Sequence, residues 1–187
     1  MIFDGIELII FDCDGILVDS EPLALRVNAG MLAELGWHLS DDEIIDRFVG
    51  RSMTSNVAVV EAHLGRTVPA DWVQRFHAEI SAAHERELIA VAGIAEALEE
   101  IAGWDVQICV ASSGIPDRVR HSLELCGLDP YFGDRIFSAT QVAHGKPAPD
   151  LFLFAASSLG VAPSSAVVVE DSQYGVEAAR AADMHVF

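Results

Sequence analysis

Lysine is almost missing from this chain. Of 187 residues only Lys146 is a lysine, and ten arginines bring the basic total to 11 against 29 acidic residues, a formal charge of −18. That sign argues against a nucleic-acid partner, whose phosphates need basic neutralisation, and against an anionic membrane surface. Long apolar runs are missing too: none approaches the ~18 residues of a membrane span. The start, Met1-Ile2-Phe3-Asp4-Gly5, has neither the basic residues nor the apolar stretch of a secretion signal. Cysteine is sparse. Cys13, Cys109 and Cys126 share no metal-ligand spacing and read as free thiols in a reducing cytoplasm.

What is present describes a folded protein. Hydrophobic residues make up 51% and charged residues 21% of the chain, the balance of a globular domain rather than a disordered one. The length suits one good core with a modest inserted subdomain. Neither repeats nor low-complexity segments interrupt it.

Ile6-Glu7-Leu8-Ile9-Ile10-Phe11 is a short β-rich apolar run, read as a buried strand that delivers Asp12 at its end. Val106 to Ala111, ending at Ser112, and Ala166 to Val169, ending at Glu170-Asp171, resemble it; Arg135-Ile136-Phe137-Ser138 is a shorter relative. Helical patterns over about 115–126, 149–160 and 172–182 separate these runs. Strand and helix in alternation predict an α/β fold, a parallel sheet covered on both faces, with ligands at the carboxyl ends of its strands. From about 18 to 89 the rhythm changes. Leu23 to Leu35 has helical spacing, Ser40-Asp41-Asp42-Glu43 is a capping-box signature, and about 53–64 and 70–88 also read as helices. These predict a helical subdomain inserted after the first strand. The division is 1–17 with 90–187 for the α/β core and 18–89 for the insertion.

The polar residues at the strand ends carry the chemistry. Asp12 and Asp14 flank Cys13 and precede Gly15, which permits a turn that brings both carboxylates to one place. Taken alone, such a pair is an ordinary solvated loop. Glu170-Asp171 after another apolar strand sharpens it, because converging carboxylates need a cation between them, and hard oxygen donors suit Mg²⁺. Ser112, before Ser113-Gly114 and a helix starting near Pro116, offers a hydroxyl and free N–H groups to a phosphate, or simply caps that helix. Lys146, followed by Pro147 and Pro149, which stiffen its loop, is placed for function rather than as surface decoration.

Phe11-Asp12-Cys13-Asp14-Gly15-Ile16-Leu17-Val18-Asp19-Ser20-Glu21, Ala111-Ser112-Ser113, Gly145-Lys146-Pro147-Ala148-Pro149-Asp150 and Val169-Glu170-Asp171-Ser172 closely resemble, in order and spacing, the four motifs of the haloacid dehalogenase-like hydrolase superfamily. Within it the chain resembles the phosphoglycolate phosphatase and β-phosphoglucomutase branch, whose Rossmann-like core carries an inserted all-helical cap. The resemblance implies a phosphatase acting on a small phosphorylated metabolite. It implies Asp12 as the nucleophile that forms an aspartyl-phosphate, Asp14 as general acid and then base, and Ser112 and Lys146 as holders of the phosphoryl oxygens. Mg²⁺ would bind Asp12, Asp171, Glu170 and the backbone carbonyl of Asp14. In the cap, Val49-Gly50-Arg51-Ser52-Met53 resembles a substrate-specificity loop, which makes Arg51 a substrate-binding candidate; Glu21 at the cap linker and Ser113 after Ser112 are two more.

His63, His77 and His84 read as cap surface or packing residues, and Trp37, Trp72 and Trp104 as packing. A sugar-phosphate mutase is the nearest rival, but the early cap position resembling the mutase histidine is Ala24, and no cap lysine exists. A dehalogenase would lack Asp14. In a receiver domain the lysine follows the last strand motif, whereas Lys146 precedes it. A silent phospho-ligand binder on the same fold is disfavoured by the intact motifs. Met184 to Phe187 reads as a new strand, and the resemblance implies a further strand and helix after it. The sequence sets no oligomeric state.

Overall fold

The computed structural model describes residues 5–49 and 53–187. The chain divides into two compact units, one of residues up to Asp19 together with Ile89–Phe187, the other Ser20–Leu88.

The first unit is built on five parallel strands: β1 (Leu8–Phe11), β2 (Gln107–Ser112), β3 (Ile136–Ser138), β4 (Ala166–Val169) and β5 (His185–Val186), in the order β3-β2-β1-β4-β5. All four residues of β1 are buried, which is why it reads as a continuous apolar run and not an alternating one. Leu8 and Ile10 pack with Cys109, Ala111, Ala166 and Val168 in a cluster that includes Leu151, Phe152, Ala178 and Ala179. Those last four belong to helices α8 (Asp150–Ser158) and α9 (Gln173–Ala181). The opposite side chains of β1 include Phe11, whose ring meets Phe132 edge-on at 6.0 Å. Phe132 ends α7 (Asp129–Phe132), which follows α6 (Pro116–Leu125). Both faces of the sheet are covered, as the α/β reading requires.

The chain runs outward from β1 to β2 and β3, then returns to place β4 on the other side of β1. The strand order therefore reverses between β1 and β4, and the crevice at their carboxyl ends is where open α/β sheets bind ligands. Register puts both ends level: Phe11 pairs with Val169 on one side and Val110 on the other.

The second unit is helical: α1 (Glu21–Glu34), α2 (Asp41–Phe48), α3 (Met53–Leu64) and α4 (Trp72–Glu87). Ser40 and Glu43 form the expected capping box, each side chain serving the other's backbone N–H. Met31, Leu32, Trp37, Ile44, Phe48, Val60 and Trp72 make its core. His63 stacks on Trp37 at 3.7 Å, His77 is exposed, and His84 is buried.

Three details differ from the sequence reading. Helix α5 (Ile94–Ile101), whose buried Leu98 sits one turn from Ile94, was not anticipated, nor was α7. Trp104 is not a core residue: it is 42% exposed, because it stands in the turn after α5 and lies beside Ile6 and Ile9. As the sequence implies, all three cysteines are free; Cys126 is only half-buried. Burial raises the Cys13 thiol and pushes that of Cys109 up to about 12, so neither is a thiolate near neutral pH.

Candidate active site

Asp12 leaves β1 at the point of strand-order reversal, and its N–H donates to the Val169 carbonyl at 3.0 Å. This backbone bond ties the end of β1 to the end of β4, so the carboxylates of Asp12 and Glu170 emerge side by side. Gly15 has φ +83°, the left-handed turn the sequence anticipates. The turn is closed by Gly15 N–H to Val18 O at 2.9 Å and Leu17 N–H to Cys13 O at 2.9 Å.

Lys146 reaches into this crevice from the loop after β3. Its ammonium donates to Asp12 Oδ1 at 2.8 Å and to Glu170 Oε2 at 2.6 Å, and its side chain is only 5% exposed. The stem packs on α8, with Nζ 5.1 Å from the centroid of the Phe152 ring. The chain's one lysine is thus buried between two carboxylates. Burial works to lower its pKa, but Asp12 and Glu170 outweigh it and hold the ammonium charged above the ordinary lysine value.

Asp12 is under the opposite pressure. Burial raises its carboxyl to about 7; Lys146 pulls it down, and Glu170 and Asp14 push it back up. Two buried carboxylates share one cation, and a third stands close: Asp12, Glu170 and Asp171 each bring an oxygen within 4.8 Å of the others. The excess of negative charge and the all-oxygen donor set fit a hard divalent cation such as Mg²⁺.

Glu170 is the most tightly fixed of the three. Its Oε1 accepts from the N–H of Ser172 at 3.0 Å and from the Ser172 hydroxyl at 2.7 Å, and its Oε2 accepts from Lys146. The same hydroxyl caps α9 by accepting the Gly175 N–H at 3.0 Å. A side chain at Gly175 would collide with the Glu170 carboxyl group.

Ser112 ends β2, fully buried, and its hydroxyl accepts the Gly114 N–H at 3.0 Å. It closes a turn and is not the helix cap, since Ile115 occupies the N-cap of α6. Ser113 beside it is exposed. From the first turn of α6, Arg118 Nη2 approaches Asp14 Oδ2 at 3.6 Å, with both side chains nearly half exposed.

Asp12, Lys146, Glu170 and Asp171 therefore converge, Asp14 and Ser112 stand at neighbouring strand ends, and Glu21 belongs to the other unit. There it lines a cavity of about 260 Å³ with Ala24, Leu25, Asn28, Ile45, Phe48 and Val49. Arg51 lies outside the described residues. Sequence reasoning gave no role to Ser172, Gly175 or Phe152 and passed over Arg118. A cation five residues past Ser113, in a chain this poor in cations, was the available signal for Arg118.

The haloacid dehalogenase-like hydrolase family model matches residues 9–187. The chain is 32% identical over 183 residues to 6-phosphogluconate phosphatase of Escherichia coli (strain K12), covering 97% of this chain and 81% of that one. A haloacid dehalogenase-like protein of unknown function from Agrobacterium tumefaciens superposes with a TM-score of 0.86 at 36% identity, covering 97% of this chain and 81% of its own. A family hydrolase from Deinococcus radiodurans, solved with bound phosphate and sodium, superposes with a TM-score of 0.83 at 32% identity, covering 97% and 80%.

Proposed function

Since the chain belongs to the haloacid dehalogenase-like hydrolase family, we propose that it is a Mg²⁺-dependent phosphatase that cleaves sugar phosphates or sugar-acid phosphates through a phosphorylated Asp12. The observation that carries the reading is the buried Asp12–Lys146–Glu170 array with Asp171 beside it. The E. coli relative, a phosphatase of a phosphorylated sugar acid, supports the substrate class.

Phosphoryl transfer asks a protein mainly for in-line placement and for charge against the equatorial oxygens. An oxygen of Asp12 attacks phosphorus, and the P–O bond to the sugar breaks with its electron pair going to the sugar oxygen. Asp14 gives that oxygen its proton, and the alcohol departs. A water molecule then attacks the phosphorus of the acyl phosphate while Asp14 takes its proton, which frees inorganic phosphate and regenerates Asp12. Lys146 and the Ser112 hydroxyl hold phosphoryl oxygens throughout, and Glu170 with Ser172 fixes Lys146 in place. Asp12, Asp171, Glu170 and the Asp14 carbonyl would hold Mg²⁺. The bound ion supplies positive charge that offsets the carboxylates and the incoming phosphate.

The helical unit is the proposed cap and seat of selectivity, with Glu21 in its own cavity and Arg51 as further substrate contacts. Among the described residues no helix is long and apolar enough to cross a membrane, and we place the enzyme in the cytoplasm. Acid quenching during turnover, borohydride reduction and peptide mass spectrometry test the intermediate. Asp12 recovered as homoserine is the expected result; reduction at another carboxylate, or at none while turnover proceeds, removes Asp12 as nucleophile.

A further inference from the structure

The segments that follow the carboxyl ends of the described strands, up to the first turn of each next helix, contain two cations, Lys146 and Arg118. They are in different situations. Lys146 is buried and committed to Asp12 and Glu170. Arg118 has a side chain 47% exposed and touches Asp14 through one nitrogen at 3.6 Å, with no bidentate geometry. An exposed pair of this kind holds its partners weakly and is easily exchanged.

Local structure nonetheless fixes where the guanidinium stands. Arg118 springs from the first turn of α6, and Pro116 and Ile115 set the direction of that helix. The guanidinium lies along the side of Gly114 where a side chain would otherwise project, with Nη2 3.0 Å and Nε 3.4 Å from that position. Gly114 in turn donates to Ser112 and gives its carbonyl to the Ser138 hydroxyl at 2.7 Å, so the surface under Arg118 is anchored to β2 and β3. A planar cationic group stands on a fixed turn beside the candidate general acid, with about half of its side chain open to solvent.

We propose that Arg118 is a specificity residue that receives a carboxylate carried by the sugar part of the substrate, exchanging its single contact with Asp14 for a bidentate one with the ligand. This rests on the reading of the site as a phosphatase and narrows its substrate class to phosphorylated sugar acids. The fork of a guanidinium matches a carboxylate in a way a lysine does not. In a protein of net charge −18, a doubly anionic substrate gains from each local cation it meets.

The test compares 6-phosphogluconate with the polyol that lacks only its carboxylate, glucitol 6-phosphate, on wild type, Arg118→Met and Arg118→Lys. Binding is measured calorimetrically to each protein, and kcat/KM from phosphate release. Wild type prefers the acid, and Arg118→Met lowers the acid-to-polyol ratio at least tenfold in both affinity and kcat/KM. Arg118→Lys keeps the charge and retains part of the ratio. Loss of equal size on both substrates, leaving the ratio unchanged, overturns the proposal and makes Arg118 a positioning residue for Asp14. A wild type without acid preference overturns it as well. The binding ratio decides this even if no phosphate is released from either ligand, a result that would instead remove the phosphatase reading.

Discussion

Replacing Gly175 with Ala separates local from tertiary reasoning, because the two predict opposite signs. Gly175 is in the first turn of α9 and is buried. On helix propensity alone, alanine should stabilise the protein by up to about 1 kcal/mol. The new methyl, however, would occupy the space of the Glu170 carboxyl group, whose side chain is 0% exposed and has no open direction to retreat. Overpacking of this kind costs about 1–3 kcal/mol. Moving Glu170 also loosens its bonds to Ser172 and to Lys146. The net expectation is a destabilisation of roughly 1–2 kcal/mol once the propensity gain is subtracted. Displacing Lys146 by an ångström lowers kcat by on the order of 100-fold. Urea unfolding and phosphate release read the two effects. The decisive control is the same change in a Glu170→Ala background, where the collision is absent and Gly175→Ala should become stabilising. An equal effect of Gly175→Ala in both backgrounds, or a gain in stability with Glu170 intact, would refute the reasoning.

Other expectations follow from the same contacts. With chelator present, Asp12, whose folded pKa is raised to about 7 from 3.8, contributes stability that is present at low pH and lost as pH rises through 7; urea midpoints of wild type should fall from pH 5 to 8, and Asp12→Asn should flatten the slope. A slope identical in the variant would assign the effect to other groups. Glu43 shows the reverse sign: hydrogen bonds from the Ser40 backbone and then its hydroxyl hold it below the usual carboxylate value. Its contribution is therefore present above the unfolded pKa and lost as pH falls through the folded one. The stability gap between wild type and Glu43→Gln should shrink in acid, while Ser40→Ala should cost about 1 kcal/mol near neutrality. Phe152→Ala removes a fully buried ring beneath Lys146 and should cost about 3–5 kcal/mol. A cost below 1 kcal/mol by the same unfolding assay would show that the ring does not support the lysine loop.

How much of this was legible in the sequence depended on whether the signal was local. The strands were readable because a parallel sheet buried on both faces turns β1 and β4 into unbroken apolar runs, and each run ended in the acidic or hydroxyl residue that the crevice uses. The Ser40–Glu43 capping box was readable because all its partners lie within four residues. Helix α5 was legible but passed over: Ile94, Leu98 and Ile101 recur at helical spacing, although the segment is only eight residues long. Trp104 misled because aromatic bulk suggests burial, while its turn leaves it half out. Lys146 was marked by scarcity, but nothing in the sequence could state that one ammonium bridges Asp12 and Glu170 across 134 and 24 residues. Gly175 was silent although Glu170 is only five residues away, because their close approach exists only once the chain has folded. Arg118 meets Asp14 across the sequence, and only the scarcity of cations marked it.

The most direct test of the central claim is inorganic phosphate release from a panel of sugar phosphates and sugar-acid phosphates, with Mg²⁺ and with chelator, on wild type and Asp12→Asn. The account predicts release that requires the metal and disappears in the variant, whose fold by circular dichroism and urea midpoint is intact. Release by Asp12→Asn at a rate close to wild type, or release unaffected by chelator, would contradict it.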